Sequence, residues 1–385
     1  MRTLLIAGFL TGLTILSVDR QAVAESGSGV DVTLVQVYYQ PGRFGGWPAN
    51  HGIWSWGNEI LVGYSRGFYK DLGAERHNID RDRPEEHWLA RSLDGGQTWS
   101  HEHPMEKGQM IPYGDGLHGT ETPGIAIPEL EDCPGGIDFS HPDFAWAAKK
   151  SSVHAGQSRF YYSNNRGKDW LGPYKLPNFG TAGTAARTDY LIDGPHQMTI
   201  FLTAAKPDGR EGRPLAARTT DGGKSWQFLS WVIESPEGFA IMPATVRLSN
   251  TELLTIVRRR TTENRWNAAY RSLDNGITWQ FAGDPVTNLG EGNPPALIQL
   301  ADGRLCYAYG YRAPPYKICV KLSDDRGQSW GPEIVLRSDG ANRDIGYPRL
   351  AQRPDGKVVV VYYFNDLETG PERYIAASIW NPESR

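Results

Sequence analysis

The chain is poor in cysteine, in surplus cationic charge and in long apolar runs. Its 385 residues include 3 cysteines, Cys133, Cys306 and Cys319, which allow one disulfide at most and exclude a scaffold stapled by many. Cys306 and Cys319 could pair across neighbouring strands, or both could be buried as small apolar residues; spacing alone leaves the two open. No Cys/His grouping has zinc-ligand spacing and no EF-hand series is present, so no cofactor is demanded, although calcium could sit in a loop such as Asp80-Arg81-Asp82. Lys and Arg number 40 against 44 Asp and Glu, a net charge of −4. Without surplus cations to displace condensed counterions, the chain is not built to hold nucleic acid. The one apolar stretch of note, Leu4 to Leu16, is too short to span a membrane. Preceded by Arg2 and followed by Ala22-Val23-Ala24, it reads as a secretory leader over residues 1–24. The mature chain, 25–385, is then expected to be secreted or periplasmic, with a net charge of about −5 once Arg2, Asp19 and Arg20 are removed.

Glycine (44), tryptophan (13) and tyrosine (18) are plentiful instead. That composition suits short strands joined by tight turns, with aromatic faces on which sugar rings can stack. A repeat organises the strands. Ser92-Leu-Asp94-Gly-Gly96-Gln-Thr98-Trp99 recurs as Thr219-Thr-Asp221-Gly-Gly223-Lys-Ser225-Trp226, as Ser272-Leu-Asp274-Asn-Gly276-Ile-Thr278-Trp279 and as Ser323-Asp-Asp325-Arg-Gly327-Gln-Ser329-Trp330. A divergent copy, Ser163-Asn-Asn165-Arg-Gly167-Lys-Asp169-Trp170, has Asn in place of Asp. These are Asp-boxes, about 50–70 residues apart. Their Asp and Ser/Thr side chains bond turn amides, the Gly allows positive φ, and the Trp packs between hairpins, so the boxes hold turns and carry no chemistry.

A second repeat lies ahead of the boxes: Gly45-Gly-Trp47-Pro48, Ala240-Ile-Met242-Pro243, Gly292-Asn-Pro294-Pro295 and Ile345-Gly-Tyr347-Pro348, each followed by strand, turn and strand. Together the repeats predict an all-β fold, a single six-bladed β-propeller with Asp-box turns over residues 25–385. Its blades are expected to begin near Trp47, Asp143, Asp189, Met242, Pro294 and Tyr347, the last without a box. The strand Val30 to Tyr39 should pair with the last blade and close the ring. The Gly- and Pro-rich insertion from Met105 to Gly136 should help shape a site.

In a propeller the innermost strands start around one shared axial pocket. Candidates for it are Trp47, Asn50, His51, His141, Asp143, Arg187, Asp189, Glu237, Arg258, Arg312, Arg343, Asp344 and Tyr347. Arginines among carboxylates and a tyrosine suit an anionic sugar, since a guanidinium grips a carboxylate bidentately and stays charged.

Over nearly all of the mature chain the pattern resembles the sialidase superfamily. The resemblance implies a propeller glycosidase that holds a sugar carboxylate with arginines, uses a tyrosine at the reacting carbon and an aspartate on a blade-one loop as acid/base. Tyr347 in Gly-Tyr-Pro-Arg-Leu matches the tyrosine, Arg258 and Arg312 match the second and third arginines, and Asp80 or Asp82 matches the acid/base loop. Two positions depart from the family pattern: Trp47-Pro48 stands where an arginine opens blade one, and Met242-Pro243 where a glutamate partners the tyrosine. The resemblance therefore implies an exo-acting hydrolase releasing a terminal acidic sugar, sialic acid or another. Two alternatives stay open. His51 with Tyr347 and the arginines could serve β-elimination on a uronate-containing polysaccharide, or the propeller could bind an anionic glycan without cleaving it.

Overall fold

A computed structural model describes residues 22–25, 30–114 and 121–383. Apart from its last residues, 22–24, the expected leader lies outside them. Among the described residues no helix is long and apolar enough to cross a membrane.

The strands form six antiparallel sheets, arranged as the six blades of a propeller. Blade one runs through Arg43–Gly46 with Gly52–Trp56, then Glu59–Phe68, Glu86–Ser92 and Ser100–Glu102. Blade two has Ala145–Lys150, Ser158–Ser163 and Leu171–Lys175. Blade three has Thr184–Ala185 with Tyr190–Gly194, then Gln197–Ala205, Glu211–Thr219 and Gln227–Trp231. Blades four and five begin with Phe239–Arg247 and Ala296–Gln299. Blade six combines Gly346–Gln352, Val358–Asp366 and Gly370–Trp380 from the C-terminal end with Asp31–Tyr38 from the N-terminal end. The expected closing strand is thus in place, and Ala22–Glu25 adds one more strand outside it.

Each sheet packs a face against each neighbour. The second strand of every blade is consequently buried on both sides and reads as a continuous apolar run, not an alternation. Val358–Asp366, Val-Val-Val-Val-Tyr-Tyr-Phe-Asn-Asp, is buried throughout. Its odd and even residues serve two clusters: Val359, Val361 and Tyr363 face blade one, whereas Val358, Val360 and Tyr362 face blade five. Each such apolar side chain contributes roughly 1.5–3 kcal/mol on burial.

One expectation is corrected, and the choice left open for the cysteines is resolved. Blade two has no innermost strand in its sheet, so the start predicted near Asp143 is really the approach to its second strand. Trp54 of blade one and Thr188 of blade three bond to Trp146 O and Ala148 N in the gap. Asp143 consequently lies on the Asp-box side, ion-paired with Arg166 of the divergent box. The cysteines are free and buried. Cys306 pairs in register with Leu322 and Cys319 with Tyr309, so the two thiols sit on opposite faces of blade five and pack into different clusters.

The boxes bond as their chemistry requires. Asp94 Oδ1 accepts from Ser92 Oγ at 2.8 Å and from Thr98 N at 2.9 Å, while Oδ2 accepts from Thr98 Oγ1 at 2.6 Å. Asp221, Asp274 and Asp325 repeat the arrangement.

Candidate active site

Strand register reveals a ring that the sequence only hints at. In blades one to five the second strand opens with a residue facing the Ser or Thr of the box, and in blade six Val358 faces Trp380. Five residues further along, on the side away from the boxes, stand Ser65, Lys150, Thr203, Arg258, Gly310 and Tyr363. Gly310 must be small, because a Cβ there would lie 2.9 Å from Asn293 Nδ2.

Beside this ring the innermost strands bulge. Pairing breaks between Ile241 and Ala244 and between Gly346 and Arg349, and it lapses between Gly46 and Gly52. The residues pushed out are Trp47, Met242 and Tyr347, with φ of 55°, 55° and 53°. All three precede proline, which disfavours helical backbone in the preceding residue, so each is a non-glycine residue held in the left-handed region. Such strain costs on the order of 1–3 kcal/mol and is sustained only where the surroundings enforce it. Here a side chain from the next blade does so: Asn293 Oδ1 accepts from Tyr347 N at 3.0 Å, and its Nδ2 donates to Ile345 O at 3.0 Å.

The bulge of blade six brings together three of the residues singled out from sequence. Arg258 Nη1 donates to the Tyr347 hydroxyl at 3.2 Å, and the Arg312 guanidinium lies 5.2 Å from the Tyr347 ring centre. Arg312 is committed to the protein, donating to Ile345 O, Gly292 O and the Tyr363 hydroxyl. Arg258 is not, since its buried Nε has no partner. Of the five N–H groups of a guanidinium, Arg258 spends one, from Nη1, on the described residues.

Asp344 anchors the other side. Its carboxylate, 2 % exposed, accepts from Tyr363 at 2.5 Å and Arg373 Nε at 3.0 Å, and meets His77 Nδ1 at 2.5 Å. Burial alone would raise its pKa, but His77, Arg373 and Arg312 outweigh that and hold it far below the usual carboxylate range. Asp189 is the opposite case. Burial dominates over Arg349 and the two bonds from Thr245, and its pKa is pushed up to about 7.

The remaining candidates scatter. Trp47 is fully buried, edge-on to His77 at 5.2 Å, with Arg81 5.1 Å above its ring. Asn50 Oδ1 accepts from Arg187 Nε at 3.0 Å, and Arg187 also grips Glu211 at 3.2 Å. His51 is buried between Ser65 Oγ, 2.9 Å from Nε2, and Lys149 Nζ, 2.6 Å from Nδ1. Asp80 and Asp82 both bond to Lys70, at 3.1 and 3.0 Å, and Asp82 is 85 % exposed. Glu237 is exposed and contributes only its carbonyl, to Arg259. His141 Nδ1 accepts from Asp143 N, and Arg343 pairs with Glu75.

His77, Glu85, Lys149, Lys150, Glu211, Asn293, Arg349 and Tyr363 were not singled out from sequence. Tyr363 and Lys150 had a readable signal, since each stands on a second strand at the register of Arg258. His77 and Glu85 lie in a blade-one loop whose charges read as solvated. The long insertion reaches Arg159, whose guanidinium stacks 3.7 Å from the Tyr113 ring centre.

Comparison with known proteins accords with this architecture. The sequence profile of a family described as BNR repeat-like domain matches residues 139–360. None of the curated proteins matches the sequence. Among solved structures, a protein of unknown function from Dyadobacter fermentans is 19 % identical, aligns over 94 % of this chain and 99 % of its own, and has a TM-score of 0.68. The NanB sialidase of Streptococcus pneumoniae is 11 % identical over 94 % of this chain and 71 % of its own, with a TM-score of 0.59. An α-L-arabinanase of Penicillium chrysogenum is 13 % identical over 94 % and 98 %, with a TM-score of 0.57. At these identities the likeness shows a shared fold.

Proposed function

The chain belongs to the BNR repeat-like domain family, and from that premise we propose that it is an exported glycoside hydrolase that removes a terminal acidic sugar from a glycan. The observation that carries this reading is Arg258: a buried guanidinium that touches the Tyr347 hydroxyl and keeps donors uncommitted, with Arg312 fixed behind the same ring. Arg258 binds the sugar carboxylate, and Tyr347 presents its oxygen to the anomeric carbon as nucleophile or electrostatic stabiliser. As the glycosidic C–O bond breaks, the leaving oxygen takes a proton from a carboxylic acid, and water completes the hydrolysis. Asp189 suits the acid role, because its environment lets it hold a proton near neutral pH. Asp82 or Asp80 takes that role only by leaving Lys70. Trp47 and Met242 replace the arginine and glutamate of the sialidase pattern, which favours a carboxylated sugar in general over sialic acid in particular.

The test is turnover on a panel of fluorogenic sialosides and uronosides. Tyr347→Phe should lower kcat by about 10²-fold or more while leaving the melting temperature near wild type. Full activity in that variant would refute the role of Tyr347. Tight glycan binding without turnover by the wild-type protein would favour the binding-only alternative. An unsaturated, ultraviolet-absorbing product would point to β-elimination, for which His51 must release Ser65 and Lys149.

A further inference from the structure

Two blades around the ring from Tyr347, blade two ends in adjacent lysines, Lys149 and Lys150, 5 % and 6 % exposed. With Asn50, His51 and His87 they line a void of about 10 Å³, room for one particle the size of a water molecule. One donor there, Asn50 Nδ2, is buried without a hydrogen-bond partner among the described residues, on a residue 3 % exposed. Lys149 spends one N–H on His51 Nδ1, and the Lys150 ammonium has no hydrogen-bonded partner among the described residues. The charge around the void is lopsided. Arg159 and Arg187 add to the two ammonium groups, against two neighbouring carboxylates, Glu85, held by Arg81 through one oxygen, and Glu211, held by Arg187.

We propose that this void is a binding site for one small monovalent anion of the halide class, chloride being the natural occupant. Its size excludes sulfate, phosphate and a sugar carboxylate. A water molecule would satisfy Asn50 Nδ2 but leave the ammonium charges uncompensated, and an isolated buried charge is costly. Burial, together with the neighbouring guanidinium groups, drives the pKa of both lysines well down, and an anion between them opposes that loss of charge. The ion would tie the end of blade two to the turn Pro48–Asn50 that follows Trp47, without requiring that any glycan be cleaved.

The experiment is a set of thermal melts of the full chain in sodium chloride, bromide, acetate and sulfate at matched ionic strength. Halide should raise Tm saturably, by roughly 2 °C once its concentration is about tenfold above Kd, whereas acetate and sulfate should give no saturable rise, only the gradual, unsaturated effect of an excluded salt. Lys150→Met should abolish the halide dependence. If that variant does not fold, crystals of the wild-type protein grown in bromide decide, with an anomalous peak expected among Asn50, His87, Lys149 and Lys150. Equal melting temperatures in all four salts, or an ordered water in place of bromide, would overturn the proposal. A glycosidase assay is not involved, so loss of the catalytic reading leaves this one standing.

Discussion

At the scale of single residues, the same side-chain type is set to opposite tasks by its neighbours. Asp325 receives bonds from Ser329 and Ser323, and its pKa falls to about 2, which keeps the box charged and closed at any ordinary pH. In the divergent box Asn165 stands where the other boxes have Asp, and Asp169 stands where they have Thr or Ser. The bond survives with donor and acceptor exchanged, Asn165 Nδ2 giving to Asp169 Oδ2 at 2.9 Å. Asp189, whose desolvation outweighs Arg349 and the two bonds from Thr245, is held at about 7 instead. In the unfolded chain its pKa returns near 3.8. Between those values the folded state binds the extra proton, so this group's contribution to stability is full below about pH 4 and is lost as pH rises through 7. The same proton makes Asp189 an acid. We expect kcat to fall along a single limb above pH about 7, and that limb to vanish with the residual activity of Asp189→Asn. The same variant should flatten the decline of Tm with pH across that window. A pH–rate profile unchanged in Asp189→Asn, and altered in Asp82→Asn, would move the acid role to the loop.

At the scale of elements, the site is made by bulges, and bulges are where sequence reading weakens. The Trp-Pro, Met-Pro and Tyr-Pro steps were visible as a repeat, and their position at blade starts was legible because each precedes an apolar run. What the repeat did not disclose is that backbone at φ near 55° turns these side chains out of the sheet. Nor did it disclose that the next blade must hold them there. Arg258 and Tyr347 could be placed together because each sits at a countable offset from a repeat. Asp80, Asp82 and Glu237 lie on loops, where offsets from a strand fix nothing about direction. Asn293 gives this a measurable form. It is fully buried and supplies both bonds that clamp the Tyr347 bulge. Asn293→Ala would leave the buried Tyr347 N–H unpaired, at about 1–3 kcal/mol, and would leave Ile345 O with only its bond from Arg312 Nε. The expected outcome is a Tm lowered by several degrees together with a fall in kcat larger than any change in KM, since a loosened bulge misplaces the phenol more than it weakens carboxylate binding. Circular dichroism melts and steady-state kinetics on one preparation test both parts. Unchanged kinetics beside a lowered Tm would confine Asn293 to a structural role.

At the scale of the whole molecule, a propeller is stable because no sheet face is left alone, and the ring here is shut by a strand from the far end of the chain. Asp31–Tyr38 pairs with Gly370–Trp380, and its Val35, Val37 and Tyr38 enter the cluster shared by blades six and one. This closure could be anticipated from sequence, because a lone strand ahead of the first blade has no other edge to satisfy. The missing inner strand of blade two could not, since the stretch ahead of Ala145 carries no repeat. Without residues 31–38 the edge of Gly370–Trp380 would expose unpaired backbone groups along a strand of high β-propensity, and the clusters on either side of blade six would be opened. A chain beginning at Gln40 is therefore expected to lose its cooperative thermal transition and to elute as aggregate on size exclusion. The strand from Ala22 to Glu25 pairs on the outer edge of the closing strand. A chain beginning at Val30 should therefore remain monodisperse and melt within a few degrees of the full-length protein. The difference between the two truncations, read on the same column and in the same melt, isolates closure from mere shortening. Equal behaviour of the two would mean that the ring holds without its final strand.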